Sequence, residues 1–215
     1  MNVYFISGMC VNCKVFNKIE LPQNCTKHYI EWMEPKETDS LNEYVKRMAC
    51  SIDTNRPFIL VGYSFGGIII QEMNKFLTPD KNIIISSIKS QFEIPNIFKL
   101  AKSTHILKNI PTKLYRVNEN ISNLFARTLY KMTDEEVAEY VSYISPIYMK
   151  WSTYQITNWH PTYEIKNLFH IHGTKDQIFS SDKIKDAYII EGGDHLMILR
   201  KPEEVNGILS DIILT

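Results

Sequence analysis

Three short stretches of the chain hold side chains suited to acyl transfer. Gly62-Tyr63-Ser64-Phe65-Gly66-Gly67 follows the apolar run Phe58–Val61 and leads into Ile68-Ile69-Ile70, which reads as the start of a helix. A serine between two glycines at a strand-to-helix turn is held in a strained backbone conformation, with its Oγ free at the end of the strand. The N-terminus of the following helix lies beneath it and favours negative charge developing on a substrate oxygen. A serine hydroxyl is nearly inert at neutral pH, so it needs a base and a group to orient that base. Near the C-terminus, Glu191-Gly192-Gly193-Asp194-His195 follows a predicted strand. Its glycines let the loop fold back over the strand ends, which makes His195 the candidate base. One strand earlier, His170-Ile171-His172-Gly173-Thr174-Lys175-Asp176 runs from a strand into a polar loop. An ionised Asp176 there would accept the second imidazole N–H and stabilise the imidazolium.

Other residues compete for these roles. Asp182 and Asp186 are alternative orienters, while Glu191, inside a predicted strand, and Asp194, adjacent to His195, are poorer ones. His170 and His172 are read as packing histidines on opposite faces of their strand. Cys10-Val11-Asn12-Cys13 follows a strand and precedes a helix-like segment, the setting of a thioredoxin-like redox pair. The competing reading is two small, part-buried thiols in a loop, with Cys10 against a substrate pocket. No second Cys/His pair has zinc-ligand spacing. No metal and no organic cofactor is expected.

A parallel sheet is the scaffold that brings such motifs to one edge. Short apolar runs alternate with helical patterns, as in α/β proteins. Strands are predicted at 2–7, 27–32, 57–63, 82–87, 167–172 and 186–191. Phe58-Ile59-Leu60-Val61 and Ile83-Ile84-Ile85 are continuously apolar, the mark of strands covered on both faces. Ser40-Leu41-Asn42-Glu43 and Thr133-Asp134-Glu135-Glu136 read as capping boxes that start helices, and Pro202 opens the last one.

Between residues 89 and 166 the alternation stops. This stretch is read as a helical cap inserted between strands, with 1–88 and 167–215 forming the core of a single domain, 1–215. Its aromatics include Phe125, Tyr143, Trp151, Tyr154 and Trp159; the last three are expected to line the substrate pocket, and His105 and His160 lie in the same stretch.

Charge and cysteine content narrow the partners. A net charge of zero and a pI near 7.0 leave no basic footprint for nucleic acid. No stretch approaches the ~18 apolar residues of a membrane span. The opening apolar run is too short for a signal peptide, and four cysteines do not make a secreted disulfide scaffold. The expected compartment is the cytoplasm.

The order Ser64, Asp176, His195 is that of one hydrolase architecture and differs from the two other common serine-hydrolase orders. With the motifs at Gly62–Gly66, His172–Asp176 and Gly192–His195, the chain resembles a small member of the α/β-hydrolase superfamily along essentially its whole length. The resemblance implies a six-stranded parallel sheet in the order 2-1-3-4-5-6, lacking the family's two front strands. It also implies an oxyanion hole from the backbone N–H groups of Met9 and Phe65. Ser7 stands where the family usually has a histidine. By resemblance, the activity is hydrolysis of a small-molecule ester through an acyl-enzyme, with an ester of a small or medium apolar acid favoured. A thioesterase or amide hydrolase with the same triad, or a non-catalytic ligand-binding protein of the same fold, are the alternatives.

Overall fold

The computed structural model describes residues 1–96, 98, 111–112, 127, 130–142 and 145–215. Six strands, β1 (Asn2–Ile6), β2 (Thr26–Tyr29), β3 (Phe58–Tyr63), β4 (Lys81–Ile85), β5 (Leu168–Gly173) and β6 (Tyr188–Ile190), form one sheet. Their order is β2-β1-β3-β4-β5-β6, and every neighbouring pair is parallel. All the strands therefore deliver their C-terminal ends to the same edge, where open α/β sheets bind ligands.

The apolar runs explain the layering. Val3, Phe5, Ile59, Val61, Ile83, Ile85 and Ile171 face one side of the sheet and pack on the final helices α5 (Met197–Arg200) and α6 (Pro202–Leu214). Tyr4, Ile6, Leu60 and Ile84 face the other side, against α1 (Leu41–Ala49) and α2 (Phe65–Met73). A strand covered on both faces has no solvent side, so its sequence does not alternate. Both predicted capping boxes form: Ser40 with Glu43 starts α1, and Thr133 with Glu136 starts α3 (Asp134–Tyr140).

β2 and β6 fall furthest short of their sequence pattern. β2 ends at Tyr29 because the chain leaves the sheet edge to send Trp32 inward, where its Nε1–H donates to the Gly8 carbonyl at 2.9 Å. β6 begins only at Tyr188, because Asp186 has φ +48°, a left-handed conformation that no strand residue adopts. In the 89–166 stretch the described residues form two helices of regular length, α3 and α4 (Pro146–Asn158). Phe125, Tyr143 and His105 lie outside the described residues.

Candidate active site

The turn at Ser64 follows from close backbone approach. Ser64 has φ +53° and ψ −117°, a strained combination for a residue with a side chain, held by its neighbours. Its N–H donates to the Ile85 carbonyl (2.9 Å), while its carbonyl accepts from the Ser87 hydroxyl (2.7 Å) and the Gly67 N–H (3.0 Å). A Cβ on Gly66 would stand 2.2 Å from the Ile6 carbonyl oxygen, so only glycine lets α2 start against the end of β1. Ser64 is thereby pushed out at the sheet edge beside the loop that follows β1.

The second pair of loops is laced in the same manner. A Cβ on Gly173 would meet the Gly193 carbonyl at 2.2 Å, so the strand end of β5 and the loop after β6 touch backbone to backbone. Lys175 N–H donates to the Gly193 carbonyl (2.8 Å), and Gly192 N–H to the Thr174 hydroxyl (2.8 Å). This contact sets His195 over Asp176.

The three side chains meet in one line. His195 Nε2 is 3.0 Å from Ser64 Oγ, and His195 Nδ1 is 2.8 Å from Asp176 Oδ2. Asp176 Oδ1 accepts from the N–H groups of Ile178 (2.8 Å) and Phe179 (2.9 Å). Burial would push the Asp176 carboxyl up. The His195 charge and hydrogen bond, with His172 and the Phe179 amide, outweigh it and hold the carboxyl below its ordinary value. An ionised carboxylate only accepts hydrogen bonds, so His195 carries its proton on Nδ1. Nε2 of a neutral ring is then the acceptor, and Ser64 donates its hydroxyl proton toward it. The imidazole is enclosed by the rings of Tyr63, Tyr130 and Phe179, with centroids 5.4, 5.5 and 5.6 Å away.

The competing carboxylates lie elsewhere. Asp182, Asp186 and Glu191 are exposed, and Asp194 pairs with Arg200. His170 and His172 do not face opposite sides. Their ring centroids are 5.2 Å apart, since residues two apart on a strand share a face.

Met9 and Phe65 flank Ser64. Phe65 is the first residue of α2, and Met9 lines the cavity that Ser64 opens into. Trp32, which the motif reading does not single out, joins the two segments. Its indole stacks on the Phe65 ring (5.2 Å, 10° between planes) while it donates to the Gly8 carbonyl. The same loop is tied to the segment at the end of α3. Val11 and Val141 form an antiparallel bridge, Asn12 N–H donates to the Tyr140 carbonyl (2.9 Å), and Ser142 N–H donates to the Cys10 carbonyl (2.8 Å). The Asn12 side-chain amide adds bonds to the Glu139 carbonyl (2.9 Å) and the Ser142 hydroxyl (3.2 Å).

The cavity at Ser64 has a volume of about 280 Å³. Among the described residues its walls are apolar side chains of Met9, Phe98, Tyr130, Met149, Ile156, Ile178 and Phe179, together with Thr153 and Thr157. Cys10, Trp151, Tyr154 and Trp159, the expected lining residues, are not among them. Helical periodicity gives the reason for α4. Positions 149, 153, 156 and 157 share one face and look into the cavity, whereas 151 and 154 belong to other faces. Trp151 donates its indole N–H to the Asp39 carbonyl (2.9 Å) and packs on Tyr44, and Tyr154 borders an outer cleft of about 510 Å³ with Glu37 and Lys150. Trp159, just past the helix, donates to the buried Glu72 carboxylate (2.9 Å). That outer cleft is larger but contains none of the three aligned groups.

Cys10 turns its Sγ to the Met149 sulfur (3.0 Å), and Cys13 points to the carbonyls of Phe5 and Ile30. Both thiols are free, and burial pushes both up to about 12. That is the opposite of the lowered value a reactive redox thiol requires. Among the described residues no cluster of His, Cys, Asp and Glu could hold a metal ion, and no helix is long and apolar enough to cross a membrane.

Comparison with known proteins places this geometry in context. The sequence model described as "Alpha/beta hydrolase family" matches residues 34–208. No curated protein sequence matches the chain. Among solved structures, the epoxide hydrolase of Bacillus megaterium is similar with a TM-score of 0.68 at 13% identity, covering 100% of this chain and 93% of that one. MenH from S. aureus has a TM-score of 0.65 at 13% identity, over 99% and 93%. BioG from Haemophilus influenzae has a TM-score of 0.58 at 16% identity, over 93% and 90%. At such identities the likeness establishes a shared fold.

Proposed function

The chain belongs to the alpha/beta hydrolase family, and within it we propose that the protein is a serine hydrolase working through an acyl-enzyme, a carboxylesterase for esters of small or medium apolar acids. The observation that carries this reading is the continuous line from Ser64 Oγ through His195 to Asp176, with spacings of 3.0 and 2.8 Å. In this reading Ser64 attacks the ester carbonyl as His195 Nε2 takes its proton. Asp176 stabilises the imidazolium, and His195 then protonates the departing alcohol. Water deprotonated by His195 releases the acid and restores the serine. The backbone N–H groups of Met9 and Phe65 receive the oxyanion, a contribution worth ~2.7–4 kcal/mol per donor.

The acyl group occupies the cavity beside Ser64. At about 280 Å³ with apolar walls, it lies just below the ~300–1,000 Å³ range of ligand pockets, which favours a short or medium chain. The 89–166 stretch acts as the cap over that cavity. Thioesters and amides would pass through the same acyl-enzyme. The four free cysteines suit the reducing cytoplasm, the compartment we assign.

The test is intact-mass analysis after a fluorophosphonate probe, run beside hydrolysis of p-nitrophenyl esters, matched thioesters and arylamides of graded acyl length. The expected result is one adduct on the wild type, none on Ser64→Ala, and fastest turnover on short to medium oxygen esters. An adduct that persists in Ser64→Ala, or no adduct and no turnover at all, rejects the hydrolase reading in favour of a ligand-binding protein.

A further inference from the structure

His172 lies beside Asp176, its Nε2 3.9 Å from Asp176 Oδ2, and takes no part in the chemistry just described. Its ring is completely buried, and Nε2 is 2.9 Å from the Phe179 carbonyl oxygen. A carbonyl only accepts, so Nε2 carries the hydrogen. Burial, the largest influence on this ring, pushes its pKa down, which keeps it neutral. The only imidazole proton is therefore committed to Phe179.

Phe179 is the residue through which that bond matters. Its N–H donates to Asp176 Oδ1 (2.9 Å), its ring packs edge-on to His195 (5.6 Å), and the same ring forms part of the cavity wall. The turn from Asp176 to Phe179 has no regular secondary structure to stiffen it. The Asp176 N–H holds its start to the Gly173 carbonyl (3.3 Å) and the Asp176 carboxylate bonds the Ile178 and Phe179 amides, while the grip of His172 on the Phe179 carbonyl holds its far end.

From this arrangement we infer that His172 is a positioning residue for the catalytic line: by holding the Phe179 carbonyl through Nε2–H, it fixes both the Asp176 carboxylate and the His195 ring. The inference rests on the proposed serine-hydrolase reading and adds a residue that works through Phe179 rather than touching substrate. It requires a donor at the position of Nε2, three bonds beyond Cβ. A glutamine amide nitrogen reaches that point, an asparagine nitrogen stops one bond short, and phenylalanine fills the volume with no donor.

The experiment compares His172→Gln, His172→Asn and His172→Phe by p-nitrophenyl butyrate kinetics, by the rate of fluorophosphonate labelling of Ser64, and by the low-field NMR signal of the His195 Nδ1 proton. His172→Gln is expected within about threefold of wild-type kcat. His172→Asn and His172→Phe are expected to lose ~30-fold or more in kcat with KM within about twofold, the signature of an interaction made in the transition state. Their Nδ1 proton signal broadens or moves, and labelling slows in step. If His172→Phe does not fold, the Gln and Asn pair decides. Equal activity in Gln and Asn, or an unchanged kcat in a folded Phe variant, overturns the positioning role while leaving the hydrolase reading intact. A wild type that neither labels nor turns over overturns both.

Discussion

Trp32→Phe isolates the brace between the loop after β1 and the start of α2. Phenylalanine keeps an aromatic ring to stack on Phe65, now 5.2 Å from the indole, and removes the N–H that holds the Gly8 carbonyl at 2.9 Å. That carbonyl also accepts from the Val11 N–H at 3.2 Å, so it is not orphaned. The stability loss is then one ordinary hydrogen bond, ~0.5–1.5 kcal/mol, plus a small cavity term. For a chain of this size each kcal/mol moves Tm by ~2–4 °C, so the expected drop is only a few degrees. The kinetic effect has a ceiling and a floor. Complete loss of the Met9 donor would cost ~2.7–4 kcal/mol, or about 100- to 1,000-fold in kcat. Simple relaxation of the loop by the energy of the lost bond gives a fall of about 2- to 12-fold. A kcat loss of about tenfold with unchanged KM is expected in p-nitrophenyl ester assays, because the donor matters only once the oxyanion forms. Wild-type kcat in a variant whose Tm has fallen would refute the reasoning and reduce Trp32 to a packing residue. A rise in KM alone would place it in the pocket instead.

The walls of the cavity and the buried histidines give further outcomes. Ile156→Ala and Met149→Ala are expected to shift ester preference toward longer acyl chains, each methylene carrying ~1–3 kcal/mol of discrimination. Trp151→Ala should leave the chain-length profile alone and lower stability by ~3–5 kcal/mol; an altered profile in that variant with none in Ile156→Ala would contradict the assigned faces of α4. Acid should destabilise the protein between pH 7 and 5. Burial, reinforced by His172 and Lys89, pushes His170 well below its ordinary value, and burial lowers His172 as well. The unfolded chain therefore takes up protons below pH ~6.5 that the folded chain refuses, and stability falls with pH by up to ~1.4 kcal/mol per unit per histidine. The lowered Asp176 carboxyl matters only below that window, since its contribution is lost as pH falls under ~3.9. Urea unfolding at pH 7, 6 and 5 should show a shallower acid loss for His170→Leu; parallel curves would mean the ring is not a neutral buried group.

The sheet and the convergence of three motifs could be read in the sequence because both are local. A run such as Phe58–Val61 states its own burial on two faces, and glycines beside Ser64 and before His195 state where backbones must touch. The Asp176–Phe179 contact carried a signal too, since an aspartate bonding the N–H groups two and three residues on is a common turn pattern. The pocket walls were hidden for a different reason. All of α4 is rich in large side chains, and only its docking against α1 and α2 decides that Met149 and Ile156 look into the cavity while Trp151 turns to Asp39. Trp32 likewise follows a strand edge in the sequence without any sign that its indole spans the loop after β1 and the start of α2.

On the proposed serine-hydrolase reading, the bonds between Cys10–Asn12 and Tyr140–Ser142 bear on the order of events in a turnover. The loop after β1 and the segment after α3 share one miniature ladder, so a displacement of one pulls on the other. On that reading, a displacement that peeled Tyr140–Ser142 from this loop would pull the backbone following Gly8 with it and take the Met9 N–H out of line for an oxyanion. Admission of substrate by that route and acyl transfer would then exclude each other.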